Sequence, residues 1–215
     1  EVAHDLAIKS LKANILPKGL FEVEGEETLE TNLFGMKLPN PIGLAAGFDK
    51  SAEVYNSLFK FGFGFVEVGT VTPKRQLGNP KPRIFRLEKD MALINRLGFN
   101  NHGSEIISKR ISNNHPNGIL GINIGPNKDT QNKEEDYYTC LSRLSIYSNY
   151  ITINISSPNT EGLRNFHDQK EMIKLFTGLN KIKKEKRINT PIAVKLSPDI
   201  NDLDISRIIE LIIKY

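Results

Sequence analysis

Apolar positions along the chain first follow helical spacing and then change to short continuous runs. In residues 2–15 they recur every three or four positions, and Pro17 with Gly19 ends the segment, which predicts a short amphipathic helix with a basic face. Residues 29–38 alternate around a Phe-Gly pair and predict a small hairpin. The change of period after this hairpin marks the start of a different kind of structure.

Five later apolar runs have the length of buried strands. They lie at residues 41–46, 64–69, 119–124, 150–155 and 191–196. Amphipathic segments of helical length separate them, including residues 134–147 in the third gap. Continuously apolar strands that alternate with helices are typical of a parallel sheet covered on both faces, so the pattern predicts an α/β fold.

Each of the five strands ends in polar or glycine-rich sequence. The endings read "AAGFDK", "EVGTVTP", "INIGPNKD", "NISSPNT" and "KLSPD". Ligands bind at the carboxyl ends of parallel strands, and in a closed β/α barrel all the loops at that end build one site. A doubly wound open sheet usually concentrates its ligand contacts at one switch point. Five such endings therefore favour a barrel with one shared site.

Composition and charge narrow the class of protein. The chain has 215 residues, 39% hydrophobic and 25% charged, which is an ordinary globular composition. No window approaches the roughly 20 apolar residues of a membrane span. The net charge of +4 leaves room for anionic ligands or lipid headgroups but does not by itself indicate nucleic acid. The single Cys140 excludes an intramolecular disulfide, and the four histidines show no metal-ligand spacing, so no metal is predicted.

Five ordered segments make the chain similar to a known family. "GLAAGFDKSAE", "GFGFVEVGTVTPKRQLGNPKPRIFRL", "INRLGFNNHG", "GINIGPNKDT" and "NISSPNTEGLR" resemble dihydroorotate dehydrogenase of the membrane-associated, quinone-reducing class. The resemblance extends from "AHDLA" to "PIAVKLSPD". It implies a β/α (TIM) barrel with a short N-terminal helical extension. It also implies that the barrel binds FMN, oxidises dihydroorotate to orotate in pyrimidine biosynthesis and passes the electrons to a quinone.

The resemblance assigns a base and a substrate site. Ser157 is the expected catalytic base, because the reaction needs a group that removes the proton from the carbon next to a carbonyl. Asparagine amides suit a ring with alternating carbonyl and N–H groups, since each offers a donor and an acceptor. Without the resemblance, "SSPN" is more often an ordinary turn. The expected substrate-binding residues are Lys50, Asn95, Arg96, Leu97, Gly98, Phe99, Asn154 and Asn159.

The same resemblance assigns the flavin contacts. Small residues at positions 45–47 would let the ring approach the backbone, and Lys195 would place a positive charge near it. Taken alone, the small residues indicate close strand packing and Lys195 an exposed strand end. The expected cofactor-binding residues are Ala45, Ala46, Gly47, Lys50, Thr70, Asn123, Asn154 and Lys195.

The base and the N-terminal helix indicate the quinone-linked class. Soluble relatives use a cysteine as the base, whereas Cys140 falls in the middle of a predicted helix. His4 and Arg86 fall on positions that line the quinone tunnel in relatives, although a surface histidine and an ion-paired arginine are the ordinary alternatives. The expected partners are dihydroorotate and a quinone, not nucleic acid. We expect a monomer at the cytoplasmic side of a bacterial inner membrane, held peripherally, or at a mitochondrial inner membrane.

Two features qualify the resemblance. Pro126 stands where relatives commonly have lysine, and Ala52 where glycine is common. The last residues fall in the helix after the fifth strand, so the expected organisation is an N-terminal helix in residues 1–20 and about five of eight β/α units in residues 28–215. We therefore expect this chain alone to be inactive. The alternatives are another FMN-dependent barrel oxidoreductase or a non-catalytic barrel fragment.

Overall fold

The computed structural model describes residues 1–13, 27–157 and 168–215. Asn159 and the end of the predicted N-terminal helix therefore lie outside the described residues. The first helix, α1 (Val2–Lys12), confirms the beginning of that prediction. It buries Ile8 and Leu11 against the rest of the core. None of the helices in the described ranges is long and apolar enough to cross a membrane.

The remaining elements follow the predicted alternation of strands and helices. The strands are β1 (Thr31–Leu33), β2 (Met36–Leu38), β3 (Gly43–Leu44), β4 (Phe65–Val71), β5 (Ile84–Leu87), β6 (Ala92–Asn95), β7 (Ile119–Ile124), β8 (Tyr150–Asn154) and β9 (Ile192–Lys195). The further helices are α2 (Tyr55–Phe59), α3 (Ser104–Asn113), α4 (Lys133–Leu144), α5 (Gln169–Glu185) and α6 (Asp202–Lys214), with short 3₁₀ turns at Glu27–Leu29, Glu88–Asp90 and Ser145–Tyr147.

The main sheet contains all five predicted strands in the order β3-β4-β7-β8-β9. Every neighbouring pair is parallel. Sequential strands that lie side by side, with helices between them in the chain, form the arrangement of the first units of a β/α barrel. β4 continues to Val71, two residues past its predicted end, because its last residue pairs with Ile124 after a shift of register.

The two faces of this sheet differ in polarity. Successive residues of a strand point to opposite faces, so each face takes every second residue. One face carries side chains that are fully buried under α3, α4 and α5, namely Val66, Val68, Leu120, Ile122, Ile151 and Ile153. The register places Asn123 beside Thr152 and Asn154 beside Lys195 on the other face. The hydrophobic core therefore lies between sheet and helices, and the second face is polar.

Two antiparallel hairpins lie outside the main sheet. β1 and β2 form the first, as predicted, and its turn uses positive φ values at Phe34 and Gly35. The Phe34 ring centroid lies 6.4 Å from that of Tyr150, so this hairpin packs at the amino end of β8. β5 and β6 form the second hairpin. The stretch "INRLGFNN", which has a hairpin as its ordinary interpretation, begins at the end of β6 and continues as the loop that follows.

The helix expected after β3 is shorter than predicted. Only α2, five residues long, is helical in the first gap. The buried carboxylate of Asp49 accepts the backbone N–H groups of Glu53 and Val54 at 2.7 and 2.8 Å, and this holds the preceding residues in turns. The prediction of a helix of ordinary length is wrong here because a side-chain acceptor competes with the helical pattern.

Cys140 lies inside α4, as the sequence predicts. Its side chain is fully buried, and Sγ lies 3.8 Å from the carbonyl oxygen of Val71. Burial raises the pKa of this thiol well above its ordinary value. Cys140 therefore packs in the core as a protonated thiol and not as a reactive thiolate.

Candidate functional site

Three polar side chains at the ends of neighbouring strands form a continuous hydrogen-bonded cluster. Thr70 lies at the register shift near the end of β4, Asn123 lies near the end of β7, and Asn154 ends β8. The Thr70 hydroxyl donates to Asn123 Oδ1 at 2.7 Å, and Asn154 Nδ2 donates to Thr70 Oγ1 at 3.0 Å. All three are buried. The structure thus brings together three of the residues that the sequence predicts to bind cofactor.

The cluster extends to the serines that follow β8. Asn154 Oδ1 accepts the backbone N–H of Ser156 at 3.2 Å and its hydroxyl at 2.9 Å. The buried Tyr137 hydroxyl donates to the backbone oxygen of Asn154 at 2.7 Å, which ties α4 to the end of the strand. Ser157, the predicted base, is half-buried and directly follows this turn. Asn154 therefore holds the residue that immediately precedes the predicted base.

Glu67 is a member of this network that the sequence analysis did not identify. Its Oε1 accepts from Asn123 Nδ2 at 2.9 Å, and its Oε2 accepts the hydroxyls of Thr152 at 2.7 Å and Tyr150 at 3.1 Å. Burial, together with the charge of Glu67, raises the pKa of Tyr150, so the phenol keeps its proton and donates it. A charged residue between Val66 and Val68 in an apolar run is the signal that could have indicated it.

The loop after β3 approaches β4 through its backbone. Gly47 donates its N–H to the Gly69 carbonyl at 3.0 Å and has a φ of +117°, which favours glycine. A Cβ on Gly47 would meet no atom within 4 Å, so the space in front of this residue is open. Lys50 Nζ donates to the Gly47 carbonyl at 2.5 Å. Burial, with help from the charge of Arg83, lowers the pKa of Lys50.

The remaining predicted flavin contacts lie at the two edges of the sheet. Ala45 and Ala46 directly follow β3, with Ala45 exposed and Ala46 half-buried. Lys195 ends β9, where it is the register neighbour of Asn154, and its side chain is exposed. Cationic and amide groups therefore occupy the strand ends from β3 to β9.

The predicted substrate loop leaves β6 and turns back toward the strand ends. Asn95 is the exposed last residue of β6. The Arg96 guanidinium donates to the Pro82 carbonyl from Nε at 3.1 Å and from a terminal nitrogen at 2.9 Å, and it lies 5.6 Å from the centroid of the Phe85 ring. These contacts hold Arg96 against the base of the second hairpin. Leu97 follows and is half-buried.

Gly98 and Phe99 join this loop to the sheet. The Gly98 carbonyl accepts from Gln76 Nε2 at 3.0 Å. A Cβ on Gly125 would lie 2.8 Å from the Thr70 methyl carbon and 3.1 Å from the Phe99 ring, so glycine at this position lets the ring reach the end of β4. Phe99 therefore lies beside the strand-end cluster, and its contact with substrate stays a prediction.

Asn127 connects the loops after β4 and β7, and the sequence analysis missed its role. Its Nδ2 lies within hydrogen-bonding distance of Thr72 Oγ1, the Lys74 carbonyl and Gln76 Oε1, at 3.0 to 3.2 Å. Its backbone N–H donates to Asp136 at 2.8 Å. The preceding Pro126, noted as a departure from the family pattern, is buried. Through Gln76, this loop supports the substrate loop.

A cavity of about 690 Å³ lies between α1 and these loops. His4 points into it, with Nε2 2.7 Å from the Phe48 carbonyl and its ring edge-on to the Phe48 ring. Lys50 and Leu97 also line this space, so it adjoins the predicted flavin and substrate loops. Among the described lining residues Arg83 and Ile84 are present, whereas Arg86, which is exposed further along β5, is not.

The groups at the strand ends fit the edge of a flavin ring. That edge alternates carbonyl oxygens, a ring N–H and ring nitrogens, and asparagine amides and a threonine hydroxyl can pair with either kind of group. Gly47 leaves open space beside them, and the two cations, Lys50 and Lys195, suit the negative charge of a reduced ring. The donor set is therefore compatible with a bound flavin.

Comparison with known proteins identifies a family. A family model described as dihydroorotate dehydrogenase matches residues 28–214. The dihydroorotate dehydrogenase (quinone) of Bartonella tribocorum is 44% identical over 214 residues, which are 98% of this chain and 59% of that protein. The corresponding protein of Bartonella henselae is 45% identical over 214 residues, covering 98% of this chain and 58% of its own.

A solved structure shows the same fold. The crystal structure of DHODH from Eimeria tenella in complex with ferulenol has a TM-score of 0.90 and 37% sequence identity, covering 99% of this chain and 63% of that chain. This confirms the predicted β/α barrel, of which five units are present here. The chain spans less than two thirds of the length of these relatives. Because the family model matches residues 28–214, which are most of the sequence, the chain belongs to the dihydroorotate dehydrogenase family.

Proposed function

We propose that the protein oxidises dihydroorotate to orotate in pyrimidine biosynthesis, with FMN as the hydride acceptor and a quinone as the final electron acceptor. The names of the relatives support the substrate and the quinone. The observation that carries the proposal is the buried cluster of Thr70, Asn123 and Asn154, which leads directly to the serine turn. A polar site of this kind offers both donors and acceptors to a flat heterocycle.

Ser157 is the proposed base. The substrate loses a proton from the ring carbon next to a carbonyl and a hydride from the neighbouring carbon, and together they create the carbon-carbon double bond of orotate. FMN, when bound, supplies the acceptor for the hydride. The Ser157 hydroxyl takes the proton, which requires a path for its own proton and limited access of water. The Ser156 contact with Asn154 holds the turn in place for this role.

Two sets of residues bind the two rings. Asn95, Asn154 and Phe99 are proposed to contact the substrate, together with Asn159, which lies outside the described residues. Thr70, Asn123 and Lys195 are proposed to contact the flavin at the ends of β4, β7 and β9. Lys50, whose Nζ donates to the Gly47 carbonyl, is proposed to contact both rings.

The cavity under α1 is the proposed quinone site. It adjoins Gly47 and Lys50 and is covered by His4 and Ile8 of the helix. The same helix carries Lys9, whose charge favours an anionic lipid surface, whereas Lys12 pairs with Glu53. We propose peripheral association of a monomer with the cytoplasmic side of a bacterial inner membrane, which vesicle sedimentation with and without anionic lipid would test.

Anaerobic visible absorbance tests the proposed reaction. An enzyme that contains this chain as part of its barrel is expected to show yellow flavin bands that bleach on addition of dihydroorotate and return on addition of a quinone. Orotate is expected to compete with dihydroorotate, which separates this function from that of another FMN-dependent barrel oxidoreductase. Flavin bands that persist in dihydroorotate would contradict the proposal, and a protein without flavin bands would indicate a non-catalytic barrel fragment.

A further inference from the structure

Glu67 stands at one end of a directed series of hydrogen bonds. A carboxylate can only accept, so every group that contacts it must donate. Its Oε2 is occupied by the hydroxyls of Tyr150 and Thr152, and its Oε1 faces Asn123 at 2.9 Å. Asn123 must therefore turn its NH₂ group, and not its oxygen, toward Glu67.

The direction of this first bond fixes each bond after it. With its NH₂ group on Glu67, Asn123 presents Oδ1 to the Thr70 hydroxyl, which donates at 2.7 Å. The hydroxyl has one proton, so Thr70 Oγ1 is left as an acceptor for Asn154 Nδ2 at 3.0 Å. Asn154 Oδ1 then remains for the N–H and hydroxyl of Ser156.

We propose that Glu67 is a positioning residue that sets the donor and acceptor roles of Asn123, Thr70 and Asn154, and thereby holds the Asn154 oxygen toward the Ser156–Ser157 turn. The direction of the bonds follows from the contacts alone. The consequence for catalysis rests on the proposed function, because it concerns the position of the proposed base Ser157.

The charge of Glu67, more than its shape, is what this role requires. Glutamine has nearly the same shape but offers an NH₂ group on one side. Two hydroxyl donors favour its oxygen on the side of Tyr150 and Thr152, so its NH₂ group would face the NH₂ group of Asn123. To avoid two opposed donors, Asn123 must rotate, and it would then donate to Thr70 in place of accepting from it.

Side-chain amide NMR of the flavin-free protein tests this direction without any use of activity. The Asn154 NH₂ signals are assigned by their loss in Asn154→Leu. In Glu67→Gln we expect these signals to shift and their exchange with solvent to accelerate roughly tenfold, because the Thr70 proton, no longer held by Asn123 Oδ1, can then point toward Asn154 and weaken the bond from its Nδ2. Tyr150→Phe is the matched control: it removes one donor to Glu67 but keeps the charge, and it should leave the Asn154 signals in place.

Exchanging the carboxylate and the amide between positions 67 and 123 should restore the slow exchange of the Asn154 NH₂ group. In Glu67→Gln with Asn123→Asp, the glutamine NH₂ group donates to the new carboxylate, and that carboxylate still accepts from Thr70. We expect exchange at Asn154 to return to within about twofold of the original rate. If the double variant resembles the single variant, or if Tyr150→Phe has the same effect as Glu67→Gln, the proposal is wrong.

Stability and turnover complete the test. If Glu67→Gln fails to fold but the double variant folds, the result supports the proposed direction of the hydrogen bonds. If both variants fail to fold, Glu67 only supports the fold and the proposal is wrong. In the flavin-loaded protein, Glu67→Gln is expected to lower kcat for dihydroorotate about tenfold or more with a smaller change in KM. A protein that never oxidises dihydroorotate would contradict the proposed function but would leave the NMR result valid.

Discussion

Asn154 on β8 donates its side-chain N–H to the Thr70 hydroxyl at the end of β4, at 3.0 Å, across the intervening strand β7. Adjacent strands lie about 4.8 Å apart, so the two side chains together span the distance between strands that are not neighbours. It is possible because both side chains lie on the polar face and Asn123 of β7 bonds to the same hydroxyl. One hydroxyl therefore holds three strand ends together.

Replacing Thr70 by valine should destabilise the protein. The change removes the partner of Asn123 Oδ1 and of Asn154 Nδ2, and both are buried. Each buried polar group left without a partner costs about 1–3 kcal/mol. We expect a lower free energy of unfolding in urea. Thr177→Val, at an exposed position of α5, is the matched control and should change it by less than about 0.5 kcal/mol. An equal effect of both changes would contradict the role of the Thr70 hydroxyl.

Ser157→Ala should abolish most of the proposed oxidation while the flavin remains bound. Loss of a general base typically lowers the rate by about 10² to 10⁴-fold. Stopped-flow measurement of flavin bleaching at saturating dihydroorotate would give this factor directly. Ser156→Ala is the neighbouring comparison: it removes the hydroxyl bond to Asn154 that helps to hold the turn but keeps the base, so it should lower the rate less than Ser157→Ala. A Ser157→Ala rate within threefold of the original would rule out this serine as the base.

His102 should make stability depend on pH. Burial lowers the pKa of His102 from its ordinary value of 6.5, and the charge of Arg110 lowers it further. The unfolded chain therefore takes up a proton at higher pH than the folded protein. The free energy of unfolding should fall as the pH drops through 6.5 and should stop falling below the folded-state pKa.

Urea unfolding at pH 5.5 and 7.5 would measure this contribution. His102→Gln keeps an acceptor toward Arg110, whose guanidinium lies 3.4–3.5 Å from His102 Nδ1, and it should reduce the difference between the two pH values. His115→Gln, at an exposed position, should leave that difference unchanged. The assignment to His102 fails if the two variants behave alike.

Gly178 on α5 and Tyr138 on α4 should show strong coupling. A Cβ on Gly178 would lie 1.9 Å from the Tyr138 hydroxyl oxygen and 2.2 Å from its ring. We expect Gly178→Ala to destabilise the protein by about 1–3 kcal/mol, because the overlap outweighs the helix preference of alanine. In a Tyr138→Ala background the same change should be neutral or stabilising by up to about 1 kcal/mol. Additive effects in thermal unfolding would contradict a direct clash.

Much of the sheet could be predicted because each strand is a continuous apolar run. The predicted and observed bounds of β7 are identical, and those of β8 differ by one residue. The first helical gap was less predictable. Its amphipathic spacing allows a longer helix, and only the folded structure shows that the Asp49 carboxylate holds the backbone N–H groups of Glu53 and Val54.

The strand-end residues were predictable, and their supports were not. Thr70, Asn123 and Asn154 meet because carboxyl ends of parallel strands share one edge, which the sequence pattern already indicates. Glu67 was missed because a single charge inside "GFVEVG" does not break the apolar run. Asn127 was missed because the partners of its side chain, including Thr72, lie more than 50 positions away in the sequence. Such contacts depend on how the loops fold over each other.

The unequal faces of the main sheet allow stability and chemistry to diverge separately during evolution. Val68, Ile122 and Ile151 form one row against the helices, and exchanges among aliphatic residues there would adjust thermal tolerance without reaching a ligand. Asn123 and Thr152 lie in the adjacent row on the opposite face. Substitution there is more restricted, because each side chain donates a hydrogen bond to Glu67. Odd and even positions of one strand are therefore exposed to different selective pressures.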